Sequence, residues 1–228
     1  MVSSCSELDE TWSRSLPGRA ARGVLLAGFF EPVLGWYTNR EVSGADWLAR
    51  LPAPAVFVAN HSSHIDTPLI LRALPGAWRR RTVVAAAADY FYVKRPKAAL
   101  VSLLFGTVPV ARDGGGTSDL GHIEALLARR WSLLMYPAGT RHGDDGETRR
   151  LRTGAAVLAA RHGLPLVPVH LTGTRRAMPP GQVWPRRKAW EPRYPVRIAF
   201  GAPIWPAAPH EREAAIGQVE AFFAAQAH

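Results

Sequence analysis

Residues 55–74 read AVFVANHSSHIDTPLILRAL, in which a polar loop separates two apolar runs. The first run, AVFVAN, predicts a buried strand because it is short, continuous and apolar. The second run, residues 66–75, predicts a helix, since a proline is tolerated in a first helical turn. Between the runs, NHSSHID at residues 60–66 places two histidines, two serines and an aspartate at the end of a strand.

The rest of the chain repeats this alternation of short apolar runs and longer helical patterns. Further strands are predicted at residues 82–88, 107–112, 132–137, 165–171 and 196–201. Further helices are predicted at residues 97–106, 117–130, 153–162 and 209–226. This order indicates a single α/β domain with a mixed, mostly parallel sheet flanked by helices. Functional residues of such folds gather in loops at strand ends, which makes NHSSHID the first candidate site.

An apolar segment precedes this domain. Residues 23–38, GVLLAGFFEPVLGWYT, are interrupted by Glu31 and Pro32 and are shorter than the roughly 20 apolar residues that span a bilayer. They predict either a helix buried in the core or a bent amphipathic helix lying in a membrane interface. The interfacial anchors would be Phe29, Phe30, Trp36 and Tyr37. We therefore predict an N-terminal tail and amphipathic helical segment at 1–40 and the main domain at 41–228.

The chain of 228 residues is strongly basic, with a formal net charge of +10. Its basic residues recur in clusters, at 79–81, 94–97, 129–130, 149–152, 175–176 and 186–188. Such a surface favours an anionic membrane surface or a phosphorylated substrate as partner. We expect no nucleic-acid partner, because the sequence has no zinc-finger spacing or RNA-binding aromatic signature.

Four explanations of NHSSHID are open at this point. Ser63 and Asp66 resemble a capping box that starts the following helix. A metal site is a second explanation, although Thr67 stands where an H-x-H-x-D-H cluster needs a histidine. A serine nucleophile is a third, without the G-x-S-x-G turn that usually presents one. The fourth is a general base, His61, oriented by Asp66 across a strand-to-helix turn.

Four blocks of the sequence together resemble one family. NHSSHID resembles the first signature block, N-H-x-S-x-x-D, of the glycerophospholipid acyltransferases, of which the 1-acylglycerol-3-phosphate acyltransferases are the best known. GTVPVARD at 106–113 is similar to the second block, and YPAGTRH at 136–142 to the third, usually F-P-E-G-T-R-S. LPLVPVHLTGT at 164–174 is similar to the fourth. The resemblance runs from about residue 30 to the end, and four blocks in order make it specific.

The resemblance implies an acyltransferase domain at 41–228 that moves a fatty acyl group from acyl-CoA or acyl carrier protein. The acceptor would be a hydroxyl of a lysophospholipid such as 1-acylglycerol-3-phosphate. It implies His61 as general base and Asp66 as its partner, with no metal and no cofactor besides the thioester co-substrate. Substrate-binding residues carried over from the second and third blocks are Arg112, Gly139, Thr140 and Arg141. The expected location is cytoplasmic, peripherally attached to the inner face of the membrane.

One position departs from the family pattern. Ala138 stands where the third block normally has a glutamate, and His142 replaces its usual serine. The catalytic pair is intact, but the family associates that glutamate with acceptor binding. A different acceptor, such as a glycolipid or a hydroxyl or amine of a specialised metabolite, is therefore an alternative. An inactive lipid-binding homologue is another, against which the retention of His61 and Asp66 argues.

Overall fold

The computed structural model describes residues 5–111, 120–138, 151–182 and 184–227. Within these ranges one sheet contains seven strands: β1 Thr38–Ser43, β2 Val56–Ala59, β3 Thr82–Ala87, β4 Thr107–Val110, β5 Ser132–Met135, β6 Leu166–Thr172 and β7 Tyr194–Phe200. Their spatial order is β1-β7-β6-β2-β5-β3-β4. Neighbouring strands are parallel except β6 and β7, which are antiparallel. The predicted single α/β domain with a mixed, mostly parallel sheet is confirmed.

Helices cover both faces of this sheet. In chain order they are α1 Cys5–Leu8, α2 Leu16–Leu25, α3 Glu31–Tyr37, α4 Asp46–Arg50, α5 Asp66–Ala73, α6 Gly76–Arg79, α7 Ala88–Phe91, α8 Arg95–Phe105, α9 Gly121–Ala128, α10 Gly154–Arg161, α11 Thr174–Ala177 and α12 Arg212–Gln226. A π-helical turn, Leu26–Phe30, joins α2 to α3. No helix of the described ranges is both long enough and apolar enough to cross a membrane.

The core lies in two layers because successive side chains of a strand point to opposite faces. In β2, Phe57 and Ala59 pack in the layer that contains helix α5. Val56 and Val58 pack in the opposite layer, which contains α9, α10 and α12. All four side chains are buried. A continuous apolar run is therefore what a strand with helices on both sides requires.

The N-terminal segment is part of the domain and is also exposed. Leu26 and Leu34 are buried in the same layer as α5. On the other side of the same segment, Val24, Phe29 and Trp36 are exposed. The segment therefore packs in the core on one side, while a position of its exposed side in a membrane interface stays a prediction.

A buried arginine joins helix α2 to helix α8. The Arg22 side chain donates to the carbonyl oxygens of Ser13, Ser102 and Leu103, at 2.8, 2.9 and 2.9 Å. Two of these carbonyls belong to the last turn of α8, and the Ser102 carbonyl also accepts from the Gly106 amide at 2.9 Å. Burial lowers the pKa of Arg22 to about 10, so the guanidinium remains charged at neutral pH. The helix ends at Gly106, whose φ of +67° suits glycine.

Strand β1 was not predicted from the sequence. Its residues, TNREVS, are mostly polar, and most of them are exposed because β1 pairs only with β7 at the edge of the sheet. An edge strand with solvent on one side lacks the apolar signal of a central strand. The boundary predicted after residue 40 falls within β1.

Candidate active site

The loop that follows β2 is anchored to the neighbouring strand. The Asn60 side-chain amide donates to the carbonyl oxygen of Leu171 at 2.8 Å, and its Oδ1 accepts from the Leu171 amide at 2.7 Å. Leu171 lies in β6, which pairs with β2. These two hydrogen bonds fix the path of the backbone as it leaves the sheet towards His61.

His61 and Asp66 are brought together by the turn between β2 and α5. His61 Nδ1 lies 2.9 Å from Asp66 Oδ2. The same oxygen accepts from the backbone amides of Ser62 and Ser63, at 2.7 and 2.8 Å. The Asp66 side chain is fully buried, whereas His61 is 20% exposed. Because an ionised carboxylate only accepts, a neutral imidazole in this position would carry its proton on Nδ1, towards Asp66, and leave Nε2 as an acceptor.

The two serines of the loop have other partners. Ser63 Oγ donates to the Met178 carbonyl oxygen at 2.8 Å, and Ser62 Oγ lies 2.8 Å from Thr174 Oγ1. The capping interpretation is therefore wrong for the Ser63 side chain, because its hydroxyl does not cap α5. Of the two hydrogen bonds of a capping box, one is present: the Ser63 amide donates to Asp66 Oδ2. Both hydroxyls hold the loop against the region that follows β6.

Tyr136 completes the surroundings of His61. Its ring stacks on the imidazole, with centroids 4.3 Å apart and planes inclined by 28°. Its hydroxyl lies 2.8 Å from Thr67 Oγ1. Burial raises the pKa of Tyr136, and the nearby Asp66 carboxylate raises it further, so the phenol is neutral. Tyr136 is the first residue of YPAGTRH, a position that by itself indicated no role for its side chain.

An apolar cavity of about 800 Å³ opens beside His61. It extends from the loop at residues 60–66 to the N-terminal segment and the region around residue 184. Its apolar lining includes Phe29, Phe30, Tyr90, Phe91, Phe105 and Trp184. The polar residues that reach it include His61, His64, Thr67 and Arg152. A cavity of this size and lining suits a long apolar ligand with one polar end.

The four predicted substrate-binding residues, Arg112, Gly139, Thr140 and Arg141, lie outside the described residues, as does His142. Their described neighbours Ala111 and Pro137 line the cavity. Ala138 packs against the core layer that contains α10. Arg152 lines the cavity but was noted in the sequence only as part of a basic cluster. In the part of the chain that the structure describes, no group of three or more His, Cys, Asp or Glu side chains could hold a metal ion.

Comparison with known proteins decides the family. A family model described as Acyltransferase matches residues 39–172, more than half of the chain. The chain belongs to this acyltransferase family. The resemblance to glycerophospholipid acyltransferases is confirmed.

The curated relatives include plant and human proteins. The chain is 28% identical over 153 residues to 1-acyl-sn-glycerol-3-phosphate acyltransferase BAT2, chloroplastic, of Brassica napus, covering 64% of this chain and 40% of that protein. It is 30% identical over 150 residues to human 1-acyl-sn-glycerol-3-phosphate acyltransferase beta, covering 60% and 51%. It is 29% identical over 199 residues to N-acylphosphatidylethanolamine synthase of Arabidopsis thaliana, covering 79% and 68%. The chain thus spans about half or less of the length of the first two.

A solved structure shares the fold. The crystal structure of the 1-acyl-sn-glycerophosphate (LPA) acyltransferase PlsC from Thermotoga maritima superposes with a TM-score of 0.68. The superposition covers 95% of this acyltransferase chain and 89% of that chain, at 18% identity. At 18% identity, this similarity shows that the two proteins share a fold.

Proposed function

We propose that this acyltransferase moves a fatty acyl group from acyl-CoA or acyl carrier protein to a hydroxyl of a lysophospholipid such as 1-acylglycerol-3-phosphate. The observation that carries the proposal is the His61–Asp66 pair at the wall of an apolar cavity of about 800 Å³. The relatives named as 1-acyl-sn-glycerol-3-phosphate acyltransferases support this acceptor.

In the proposed mechanism His61 acts as the general base. Its Nε2 takes the proton of the acceptor hydroxyl while the hydroxyl oxygen attacks the thioester carbonyl carbon. When the tetrahedral intermediate collapses, the carbon–sulfur bond breaks and the imidazolium returns the proton to the leaving thiolate. The products are an ester and a free thiol. Asp66 holds the ring by Nδ1 and balances its positive charge, and such acid–base catalysis typically contributes about 10²- to 10⁴-fold.

The cavity has a separate role, which is to bind the acyl chain. Transfer of the acyl chain from water to the aromatic and aliphatic walls of the cavity would be favourable by about 0.8 kcal/mol for each buried methylene. This binding would position the thioester beside His61, where small displacements of the reacting atoms are costly. No covalent enzyme intermediate is needed, because the acceptor hydroxyl attacks the thioester directly. In agreement, the hydroxyls of Ser62 and Ser63 are hydrogen-bonded to Thr174 and Met178.

Arginines would bind the acceptor phosphate. Arg112 and Arg141 are proposed for this role from the family resemblance, because guanidinium groups bind phosphate through paired donors. Gly139 and Thr140 would allow close approach of the backbone to the ligand. Arg152 lines the cavity and adds a further positive charge there.

A second candidate is acyl transfer to an amine. Ala138 packs against apolar core residues, at a position where the family pattern has a carboxylate associated with acceptor binding. The relative that aligns over 79% of this chain is named N-acylphosphatidylethanolamine synthase. An acceptor with a phosphoethanolamine headgroup would present an amine to His61 in place of a hydroxyl.

The test is release of free thiol from long-chain acyl-CoA or acyl carrier protein. 1-Acylglycerol-3-phosphate, other lysophospholipids and phosphatidylethanolamine are offered as acceptors, and the products are identified by mass spectrometry. We expect thiol release that depends on a lysophospholipid and is abolished in His61→Ala. An N-acylated product would select the second candidate. No release with any acceptor or donor would favour the inactive lipid-binding homologue.

We also propose peripheral attachment of the chain to the inner face of the membrane. The exposed apolar side chains of the N-terminal segment, Val24, Phe29 and Trp36, support it. An amphipathic segment with one buried and one exposed apolar face can insert its exposed side chains without leaving the domain.

A further inference from the structure

A second aromatic and basic segment lies next to the N-terminal one. Residues 184–193, WPRRKAWEPR, connect the region after β6 to β7 and are called here the docking segment. The docking segment contains two tryptophans, four basic side chains and one acidic side chain, a net charge of +3. Neither the family resemblance nor the catalytic pair assigns it a role.

The docking segment packs directly on the N-terminal segment. Trp184 Nε1 donates to the Tyr37 hydroxyl at 3.0 Å, and the Trp184 ring lies 6.1 Å from that of Phe29. The Arg187 guanidinium lies 4.8 Å from the centre of the Trp36 ring. Two stretches far apart in the sequence therefore form one continuous surface.

This surface leaves its largest apolar groups in solvent. Trp190 is 81% exposed, Trp36 is 53% exposed, and Phe29 and Trp184 are each 47% exposed. Lys188 Nζ lies 5.6 Å from the centre of the Trp190 ring, so the ammonium group and the exposed indole are neighbours on this surface. Tryptophans beside basic side chains are typical of surfaces at the bilayer–water boundary. Each basic residue near an anionic bilayer contributes about fivefold in membrane affinity.

The surface is also continuous with the wall of the cavity. Phe29, Trp184 and Pro185 line the cavity that contains His61. The exposed parts of Phe29 and Trp184 therefore lie where the cavity meets this surface. A bilayer in contact with the docking segment would face the cavity directly.

We propose that the docking segment binds an anionic lipid bilayer and sets the cavity against it, so that acyl chains pass from the membrane to His61 without crossing water. The inference about delivery rests on the proposed acyl transfer. The inference about binding does not, because it depends only on the exposed tryptophans and the positive charge. The indoles favour a bilayer over an acidic protein, which would complement the charge but not the highly exposed Trp190 ring.

The test uses two variants that avoid the cavity lining. Trp190→Ala removes the exposed indole, and the double variant Arg186→Gln/Lys188→Gln removes two charges. Binding of the full chain is measured by co-sedimentation with vesicles of phosphatidylcholine containing phosphatidylglycerol. We expect affinity to fall about fivefold or more for Trp190→Ala and about twentyfold for the double variant.

Matched controls make the same changes elsewhere on exposed surfaces. Trp205→Ala removes another exposed indole, and Arg50→Gln/Arg212→Gln removes two charges from α4 and α12. We expect Trp205→Ala to bind vesicles as the unmodified chain does. We expect Arg50→Gln/Arg212→Gln to lower the vesicle affinity by less than a quarter of the fold-change seen for Arg186→Gln/Lys188→Gln. Equal losses in test and control variants would overturn the proposal in favour of general charge attraction. Unchanged vesicle binding with loss of acyl-carrier-protein binding would overturn it in favour of a protein partner.

Activity measurements with two substrates distinguish delivery of the acyl chain from the membrane from the acyl-transfer reaction itself. Thiol release is measured with a water-soluble short-chain acyl-CoA and with long-chain substrate embedded in vesicles. We expect the two docking variants to release thiol from the short-chain substrate at the unmodified rate. Their rate with the vesicle-embedded substrate should fall at least fivefold. Equal loss of both rates would contradict the delivery role. If the unmodified chain releases no thiol at all, the proposed function fails while the co-sedimentation result still decides the docking.

Discussion

At the scale of single residues, one oxygen atom organises the proposed chemistry. Asp66 Oδ2 receives the His61 ring and the amides of Ser62 and Ser63. Those two amides orient the carboxylate before any substrate binds, so the imidazole is held in one tautomer. This arrangement is what a general base needs, because Nε2 must be free of its proton when the acceptor arrives.

The first prediction tests this pair. His61→Ala is expected to lower kcat by about 10²- to 10⁴-fold, because the variant lacks the proposed general base. Asp66→Asn is expected to lower kcat at least tenfold, since a neutral amide cannot balance the imidazolium. His64→Ala, which changes another histidine of the same cavity, is the control and should keep near-normal turnover. The measurement is thiol release, with circular dichroism to confirm folding. A dead His64 variant beside an active His61 variant would contradict the mechanism.

The second prediction concerns Tyr136 as a positioning residue. Tyr136→Leu removes the ring that stacks on His61, an interaction typically worth about 0.5 to 1.5 kcal/mol. We expect kcat to fall up to about tenfold while KM for the acyl donor changes less than twofold. Tyr136→Phe keeps the stack and loses only the bond to Thr67, so its kcat should stay within about threefold of normal.

The control for these substitutions is Tyr194→Phe. The Tyr194 hydroxyl donates to the Arg186 carbonyl oxygen and lies outside the cavity lining. Normal kcat in Tyr136→Leu, or an increase in KM with unchanged kcat, would show that the stack does not position the base.

At the scale of elements, Glu31 connects three of them. Its carboxylate in α3 accepts from Arg40 of β1 and, at 2.7 Å, from Arg72 of α5. The hydrogen bond from Arg40 is the main cause that lowers the pKa of Glu31 to about 2, and Arg72 lowers it further. The N-terminal segment is thereby fastened to the helix that begins at Asp66.

The third prediction follows from that pKa. At pH 7, Glu31→Gln should lower the free energy of unfolding by about 1 kcal/mol, a modest value because the side chain is about one-third exposed. A carboxylate with a lowered pKa stabilises the fold above its unfolded pKa and loses that contribution as pH falls through the folded value. The difference between the two proteins should therefore shrink as pH falls from about 4.5 to about 2.

Denaturant unfolding at several pH values measures this difference. Glu41→Gln is the matched control, because Glu41 pairs with Arg197 in the same part of the sheet but both side chains are 74% exposed. We expect no measurable change in that control. A Glu31→Gln difference that stays constant between pH 7 and 2 would contradict the assignment.

At the scale of the whole molecule, the proposed membrane attachment combines the positive charge of the chain with its exposed apolar groups. The net charge of +10 would attract the chain to the proposed anionic surface over a distance that salt screening limits to about 8 Å at physiological ionic strength. Insertion of exposed side chains would then add a short-range contribution. Two independent contributions of this kind give stable yet reversible attachment.

The fourth prediction concerns this attachment. Binding of the full chain to vesicles should rise with the fraction of anionic lipid and weaken as salt is raised, because the long-range contribution is screened. Flotation with neutral and anionic vesicles at two salt concentrations measures it. Equal partitioning to both kinds of vesicle at both concentrations would contradict an electrostatic contribution.

The sequence by itself determined the α/β class, the central strands and most of the longer helices. Those elements depend on local patterns: apolar runs buried on both faces, helical periodicity, and glycine or proline at the ends. From the residues alone, the pairing of His61 with Asp66 was one of four explanations of the loop, and the resemblance to the family favoured it; the structure brings the two side chains together. The polar edge strand β1 escaped prediction because its partner β7, far along the chain, is what makes it a strand.

The tertiary structure alone decided what surrounds that pair. Thr67 and Tyr136 are 69 residues apart in the chain, and only the adjacency of β2 and β5 places the Tyr136 ring on His61. The cavity likewise combines residues from most of the chain. The joint surface of the N-terminal and docking segments exists because Trp184 packs against Phe29 and Tyr37. Contacts of this kind leave no local periodicity, since each depends on where the sheet order brings distant strands and loops together.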